Sequence, residues 1–475
     1  MGRRRDARLS AHSIVATADH SAAAASAPLA VRMALALGAY SFARLTPEVV
    51  AKAKLCVYDL LSSALSAGEQ PWSRQAAAIA RRNSQGSAHG AGIIGTSDVV
   101  STHDAAFANG VLSHGLVRDD MHVGSVSHLG TVLIPTLLAF VETTRASGKD
   151  FLTALVAGYE VGGKVGRMIM DVEVSRIFRP TGTVGPIAAA AAGAKLLALP
   201  PEQTTSALAL AANTAAGYNE WAGTGGSEMF FHNGLAARSA VTAVQLAAEG
   251  AYASPTALDG DAGILAAFRR PRPPNVPELF SDRPEIVAVF FKPVPACNFA
   301  QTPAQVALAL AQQHRVAAAD IDTVTVRVTR AAALYPGCDA SGPFEHILQA
   351  KMSIHYNVAA ALARGNFAER NYVPQQNPDV QALAKRITVV VDDGYTKAFP
   401  AKQGAAVVVQ TRAGKMLEHR ADNLEPTDPD GVHERFFAAA SERLGSERAS
   451  ELDAMIGNLE QCGNAADLAR LTRKG

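Results

Sequence analysis

The sequence predicts a mainly α fold, in which a large all-helical domain is built from both ends of the chain and a smaller α+β domain is inserted between them. Three observations predict it. Residues 28–272 carry helical periodicity nearly throughout. A proline-rich basic run, Arg269-Arg270-Pro271-Arg272-Pro273-Pro274, ends that stretch. The alternating pattern of strands begins only beyond it, and the chain turns helical again after Pro426-Thr427-Asp428-Pro429. The predicted parts are a poorly ordered tail at 1–27, a first helical part at 28–272, an α+β part at 273–418 and a helical return at 419–475.

Each element has a local reason. Thr46-Pro47-Glu48 combines a capping hydroxyl, a proline at the first helical position and an acid in the first turn. Behind it Val49, Ala53, Cys56 and Leu60 line one face. Pro200-Pro201-Glu202 opens another helix, and the small-residue runs 185–193 and 234–247 let helix backbones approach closely. In the inserted part, 286–291 and 321–329 read as strands, with Val324, Val326 and Val328 alternating with polar residues. A helix is predicted at 302–313, and further strands at 387–391, 405–411 and 416–419.

Composition narrows the function. With 475 residues, 48% hydrophobic and 18% charged, the chain can bury sizeable cores in two domains. A formal net charge of +1 supplies no field for nucleic acid or anionic lipid. The candidate membrane segments, 131–141 and 184–200, fall short of a span. Cys56, Cys297, Cys338 and Cys462 lie far apart without metal-type spacing, so they read as reduced thiols of a cytoplasmic protein.

The densest chemistry lies between Asn109 and Gly130. His114, His122 and His128 share this stretch with Asp119 and Asp120, beside an apolar helical run. Acid–base groups crowded near a core are costly unless they pair or react. The glycine-rich run Gly223-Thr224-Gly225-Gly226-Ser227-Glu228 lacks a preceding strand and a Gly-Lys-Ser/Thr ending, so it reads as an active-site loop and not a nucleotide site.

These blocks resemble the MmgE/PrpD family, which includes 2-methylcitrate dehydratase, cis-aconitate decarboxylase and iminodisuccinate epimerase. The resemblance runs over about residues 30 to 420. It is carried by Leu45-Thr46-Pro47-Glu48, by the Asn109–Gly130 segment, by Phe178-Arg179-Pro180-Thr181-Gly182 and by His232-Asn233-Gly234. Lys292-Pro293-Val294-Pro295-Ala296-Cys297 and Lys351-Met352-Ser353-Ile354-His355-Tyr356 extend it. It implies a helical domain with an inserted lid, an active site in the cleft between them, a homodimer and no organic cofactor or metal.

Family chemistry makes or breaks a C–H bond next to a carboxylate, which needs a placed base and cations for the developing enediolate. The resemblance implies catalytic roles for His128, His122, Asp119 and Lys292, and substrate-binding roles for Arg179, Asp120, His232 and Tyr356. His128 is expected to transfer the proton, with His122 as a second proton carrier oriented by Asp119. Lys292, stiffened by Pro293 and Pro295, is expected to clamp a carboxylate, and Arg179 to grip one with its planar fork.

Departures from the family pattern concentrate at the site. Val117 and Met121 replace an aspartate and a threonine, Arg118 an aromatic and Leu129 a proline, while Arg179 replaces a histidine and Met229 a lysine. His122, His128 and Lys292 persist, so the expectation is a cofactor-free lyase of the hydro-lyase type with a changed substrate. Epimerisation, decarboxylation and non-catalytic carboxylate binding are the alternatives.

Overall fold

A computed structural model describes residues 27–85, 90–271 and 278–474. The predicted tail lies outside the described residues, as does the predicted boundary at 272/273. The architecture is mainly α. Helix α1 (Pro47–Ser66) starts where the sequence puts it, with Thr46 Oγ accepting the Val49 N–H at 3.3 Å and Val49, Ala53, Cys56 and Leu60 buried. Helix α2 (Thr102–His114) is capped by Ser101 and is buried at every residue from Asp104 to His114. It is therefore a central helix with no solvent face.

Helix α3 (Gly130–Val141) packs on α2 and also meets α4 (Gly148–Ile169) and α5 (Pro180–Leu196), while α6 (Glu228–Ala248) packs on both α2 and α5. The close approach expected of small residues occurs where α2 crosses α6. A Cβ on Gly110 would lie 2.9 Å from the Gly234 Cα, so only glycine permits this crossing. The crossing sets the lateral position of α2 and of His114 at its end.

The predicted strand at 286–291 is a correction. Glu285–Ala288 forms a 3-10 turn, and only β2 (Val289–Phe290) extends, pairing antiparallel with β1 (Met121–His122). A short buried apolar run carries no period that separates strand from turn. Phe280 stacks on Tyr40 at 3.7 Å, and Ile286, Val289 and Phe291 bury in the helical core. We therefore propose that the chain passes into the mixed layer at 292–297, beyond the proline-rich run.

That layer holds α7 (Gln301–His314), β3 (Ile321–Val328), α8 (Ile354–Arg364), β4 (Ile387–Val391), β5 (Ala405–Thr411) and β6 (Met416–Ala421). The sheet order is β4-β3-β5-β6, with β3 and β4 parallel and the other pairs antiparallel. Val324, Val326 and Val328 face inward as their alternation predicts. This core is continuous with Trp72, Phe107, Trp221 and Phe230 of the helical part.

Helix α9 (Pro429–Leu444) returns to the helical part. Its Phe436 meets Tyr58 of α1 edge to face at 4.8 Å. Arg435 donates to Asp59 Oδ1 at 3.0 Å and to the Lys292 carbonyl at 2.8 Å, tying both chain ends to the crossover segment. Asp59 is 1% exposed. Arg435→Ala should therefore cost about 2–3 kcal/mol, slightly below the usual range for breaking a buried pair because the arginine keeps some solvent contact. Asp59→Asn in that background should recover part of it. Chemical denaturation measures both, and an unchanged midpoint for Arg435→Ala would remove this staple from the account.

Candidate active site

The site grows from the end of α2. His114 is the last residue of that helix, and the loop that follows runs through two valines in the left-handed region, Val117 at φ 58° and Val126 at φ 51°. A β-branched residue pays for that conformation, and such strain persists only where the surroundings over-determine it. Two buried lysines from the mixed layer do so. Lys292 Nζ donates to the Val117 carbonyl, and Lys351 Nζ donates to the Leu116 carbonyl at 2.8 Å.

Within this loop Asp119 is 1% exposed. His114 Nδ1 lies 2.8 Å from its Oδ1, and His128 Nδ1 lies 2.8 Å from its Oδ2. The His128 N–H itself is aligned with the Asp120 carbonyl at 3.0 Å, which leaves Asp119 Oδ2 without a well-directed donor. Burial alone would raise the Asp119 carboxyl, but the two imidazoles and the Lys292 ammonium outweigh it and hold it well below the usual carboxylate range. It is an ionised carboxylate.

The hydrogen bonds also set the tautomers. Arg179 Nη2 lies 2.8 Å from His114 Nε2, and a guanidinium only donates, so that nitrogen accepts and Nδ1 carries the proton toward Asp119. His128 Nδ1 faces two acceptors, so it too carries the proton and Nε2 is the basic nitrogen. Burial pushes the His128 pKa down to about 3, with Lys292 and His114 adding to the effect and Asp119 opposing it. His128 is a neutral imidazole at physiological pH.

His128 and Arg179 line a cavity between the helical part and the mixed layer. Val117, Met121, Trp221 and Met229 form its wall on one side, and Cys297, Asn298, Phe299, Tyr335 and Met352 on the other. Arg179 sits before Pro180 at the start of α5, its guanidinium 5.9 Å from the Trp221 ring and its Nε without a partner. The cavity volume is about 20 Å³. That is room for one water, so anything larger needs the cavity walls to move.

His114, Asp119 and His128 bring their ligand atoms within 4.8 Å of one another, a geometry that could hold a metal. The donor set does not fit one. Both Nδ1 atoms carry protons directed at acceptors, His114 Nε2 is taken by Arg179, and the Lys292 and Arg179 charges stand alongside. The arrangement suits proton transfer and anion binding.

Of the residues expected at the site, the structure brings together Asp119, His128 and Arg179. His122 requires correction: Met121 and His122 are strand neighbours, so one faces the cavity and the other faces away. His122 Nε2 pairs with Glu285 at 2.8 Å and Nδ1 with Ser125 Oγ at 2.7 Å. Asp120 likewise turns into the helical body, where Tyr159 donates to it at 2.6 Å. Tyr356 donates to the Asn371 carbonyl at 2.8 Å, away from the cavity. His232 stands behind Arg179, the two sharing the space over Gly217, and does not line the cavity. Lys292 is fully buried on the Val117 and Ala296 carbonyls, so it acts on the site through its charge and its hold on the loop rather than by contact with substrate.

Sequence reasoning gave His114 no role, although its spacing of five residues from Asp119 across a helix end was visible. Trp221, Tyr335 and Cys297 come from distant segments. Cys297 Sγ lies 3.7 Å from Cys338 Sγ, which together with the Phe299 N–H and Lys292 draws its pKa down against the effect of burial.

The class is that of a helical protein with a buried carboxylate between two imidazoles, one of them bonded to an arginine that lines the same cavity as the other. Models of the MmgE/PrpD N-terminal domain and the MmgE/PrpD C-terminal domain match residues 31–277 and 294–461. The chain belongs to the MmgE/PrpD family. It is similar to the cis-aconitate decarboxylase-like protein oryM of Aspergillus oryzae, 28% identical over 460 residues, which cover 89% of this chain and 93% of that protein. A cis-aconitate decarboxylase of Aspergillus terreus is 27% identical over 231 residues, covering 47% of this chain and 46% of the relative. Among the described residues, no helix is long and apolar enough to cross a membrane.

The Asp120 environment gives a pH prediction. Burial raises its pKa to about 8. The folded state thus keeps a proton that the unfolded chain releases near 4, so this group lowers stability as pH rises from about 4 to 8. Asp120→Asn removes that dependence. Its melting temperature relative to wild type should be higher at pH 8 than at pH 5; an equal difference at both would show that Asp120 is ionised in the fold.

Proposed function

We propose that this protein is a lyase acting on a small carboxylic acid, with His128 removing a proton from the carbon next to a carboxylate. The observation that supports this reading most is that His128 and Arg179 line one cavity while Asp119 and His114 link them from behind. Arg179 would hold the substrate carboxylate and, as the C–H bond breaks, the charge of the enediolate. His128 Nε2 would take the proton, and Asp119 at 2.8 Å from Nδ1 would stabilise the imidazolium. A bound anion raises the low His128 pKa toward a working value. His114 bonds both Arg179 and Asp119 and so holds anion site and base in register.

Departure of a hydroxide, taken up with a proton as water, completes a dehydration. A second reading, loss of carbon dioxide, is favoured by the apolar wall of Val117, Met121 and Met229 and by what the relatives are called. Product analysis separates the two. His128→Ala should lower kcat about 10²- to 10⁴-fold, and Arg179→Met should lower kcat/KM with Arg179→Lys restoring only part. Solvent deuterium should enter the substrate carbon with wild type and not with His128→Ala. Full activity of His128→Ala would end the proposal.

We further propose a cytoplasmic homodimer whose mixed layer works as a lid. All four cysteines are free thiols, and α6 exposes Leu235 and Leu246. Sedimentation should give twice the chain mass at micromolar concentration, and Leu235→Glu with Leu246→Glu should shift it to the monomer. A wild-type monomer would refute the dimer.

A further inference from the structure

A second chamber adjoins the catalytic cavity. Its volume is about 280 Å³, and it shares Val126, Phe299 and Tyr335 with the smaller cavity as a common partition. Met170 and Val172 of the helical part form one wall, and Ala331, Phe399 and Pro400 of the mixed layer form the other. Its surface is mostly apolar. Among the described residues that line it there is no lysine or arginine, and the single carboxylate, Asp171, is paired with Arg270 at 2.6 Å.

This distribution of charge is unusual for the approach to an anion site. Field lines that draw in a polyanion would need cations along the walls, whereas this chamber presents hydrocarbon and one carboxylate already neutralised by Arg270. The catalytic cavity itself has one permanent cation in its wall, Arg179, with Lys292 behind. Two cations suit one or two carboxylates; a third would be desolvated without a partner.

We propose that the outer chamber is a subsite for an apolar substituent on the substrate, an alkyl chain of about four to six carbons whose carboxylate end lies at Arg179 and His128. The inference rests on the carboxylate reading above. At roughly 30 Å³ per methylene-sized group the chamber would hold about nine, and a chain of four to six fills its inner part while water keeps the open rim. Val126, Phe299 and Tyr335 then form the gate through which the chain passes.

The test uses 2-alkylsuccinates from methyl to octyl as inert probes, with binding to the full-length protein measured by calorimetry. Each added methylene should tighten Kd about three- to fourfold, levelling off after four to six carbons. Ala331→Phe and Val172→Phe fill the chamber from opposite walls, and each should flatten this dependence; their melting curves check that both are folded. A wild-type protein that binds the methyl compound with no gain along the series overturns the subsite and leaves the carboxylate reading standing. Retention of the full wild-type gain by both folded variants does the same. If no member binds, or if Arg179→Met binds every member as wild type does, the carboxylate reading fails and the subsite falls with it.

Discussion

The ionised carboxylate of Asp119, enclosed where water does not reach, is the constraint on which the site depends. An unpaired charge there would cost several kcal/mol. The chain meets that cost with the His114 N–H at 2.8 Å and the Lys292 ammonium nearby, and sets His128 Nδ1 2.8 Å from the other oxygen. Each partner is then fixed in turn. His114 accepts from Arg179, His128 bonds the Asp120 carbonyl, and Lys292 holds the Val117 carbonyl. Satisfying one buried charge thus orients the base, the anion anchor and the strained loop together.

The same requirement joins the two parts of the molecule. Lys292 and Lys351 leave the mixed layer to bond carbonyls of the loop after α2, and Lys351 also pairs with Glu369 at 2.7 Å. Arg435 holds the Lys292 carbonyl from the far end of the chain. Opening the cleft for a substrate therefore has to proceed without disturbing these charged contacts. Motion concentrated in the cavity walls, at Phe299, Tyr335 and Met352, meets that condition.

Neighbouring residues of one short motif serve opposite faces. Asp119 and Met121 belong to the cavity side, while Asp120 and His122 point into the helical body, to Tyr159 and Glu285. Arg167 at 3.0 Å and Lys164 at 3.3 Å also hold Glu285. These two inner networks hold the loop from behind and leave its outer face for chemistry. They also account for three acid–base residues of one motif, Asp119, Asp120 and His122, giving only one carboxylate at the site.

Much of the fold was legible in the residues. Thr46-Pro47 marked a helix start and alternating valines marked β3, because caps and periodicity are local properties. The run at 286–291 was not, since a short apolar stretch pairs or turns according to what lies beside it. Within the site, the sequence by itself determined that Asp119, His128 and Arg179 were available and that their chemistry suited a carboxylate. Only the tertiary structure decided that His122, Asp120 and Tyr356 face elsewhere, that Lys292 grips backbone and that His114 joins base to anchor. A side chain's direction depends on which neighbour supplies the missing charge or hydrogen bond, and those neighbours come from other elements of the chain, as Lys292 does for Val117 and Glu285 for His122.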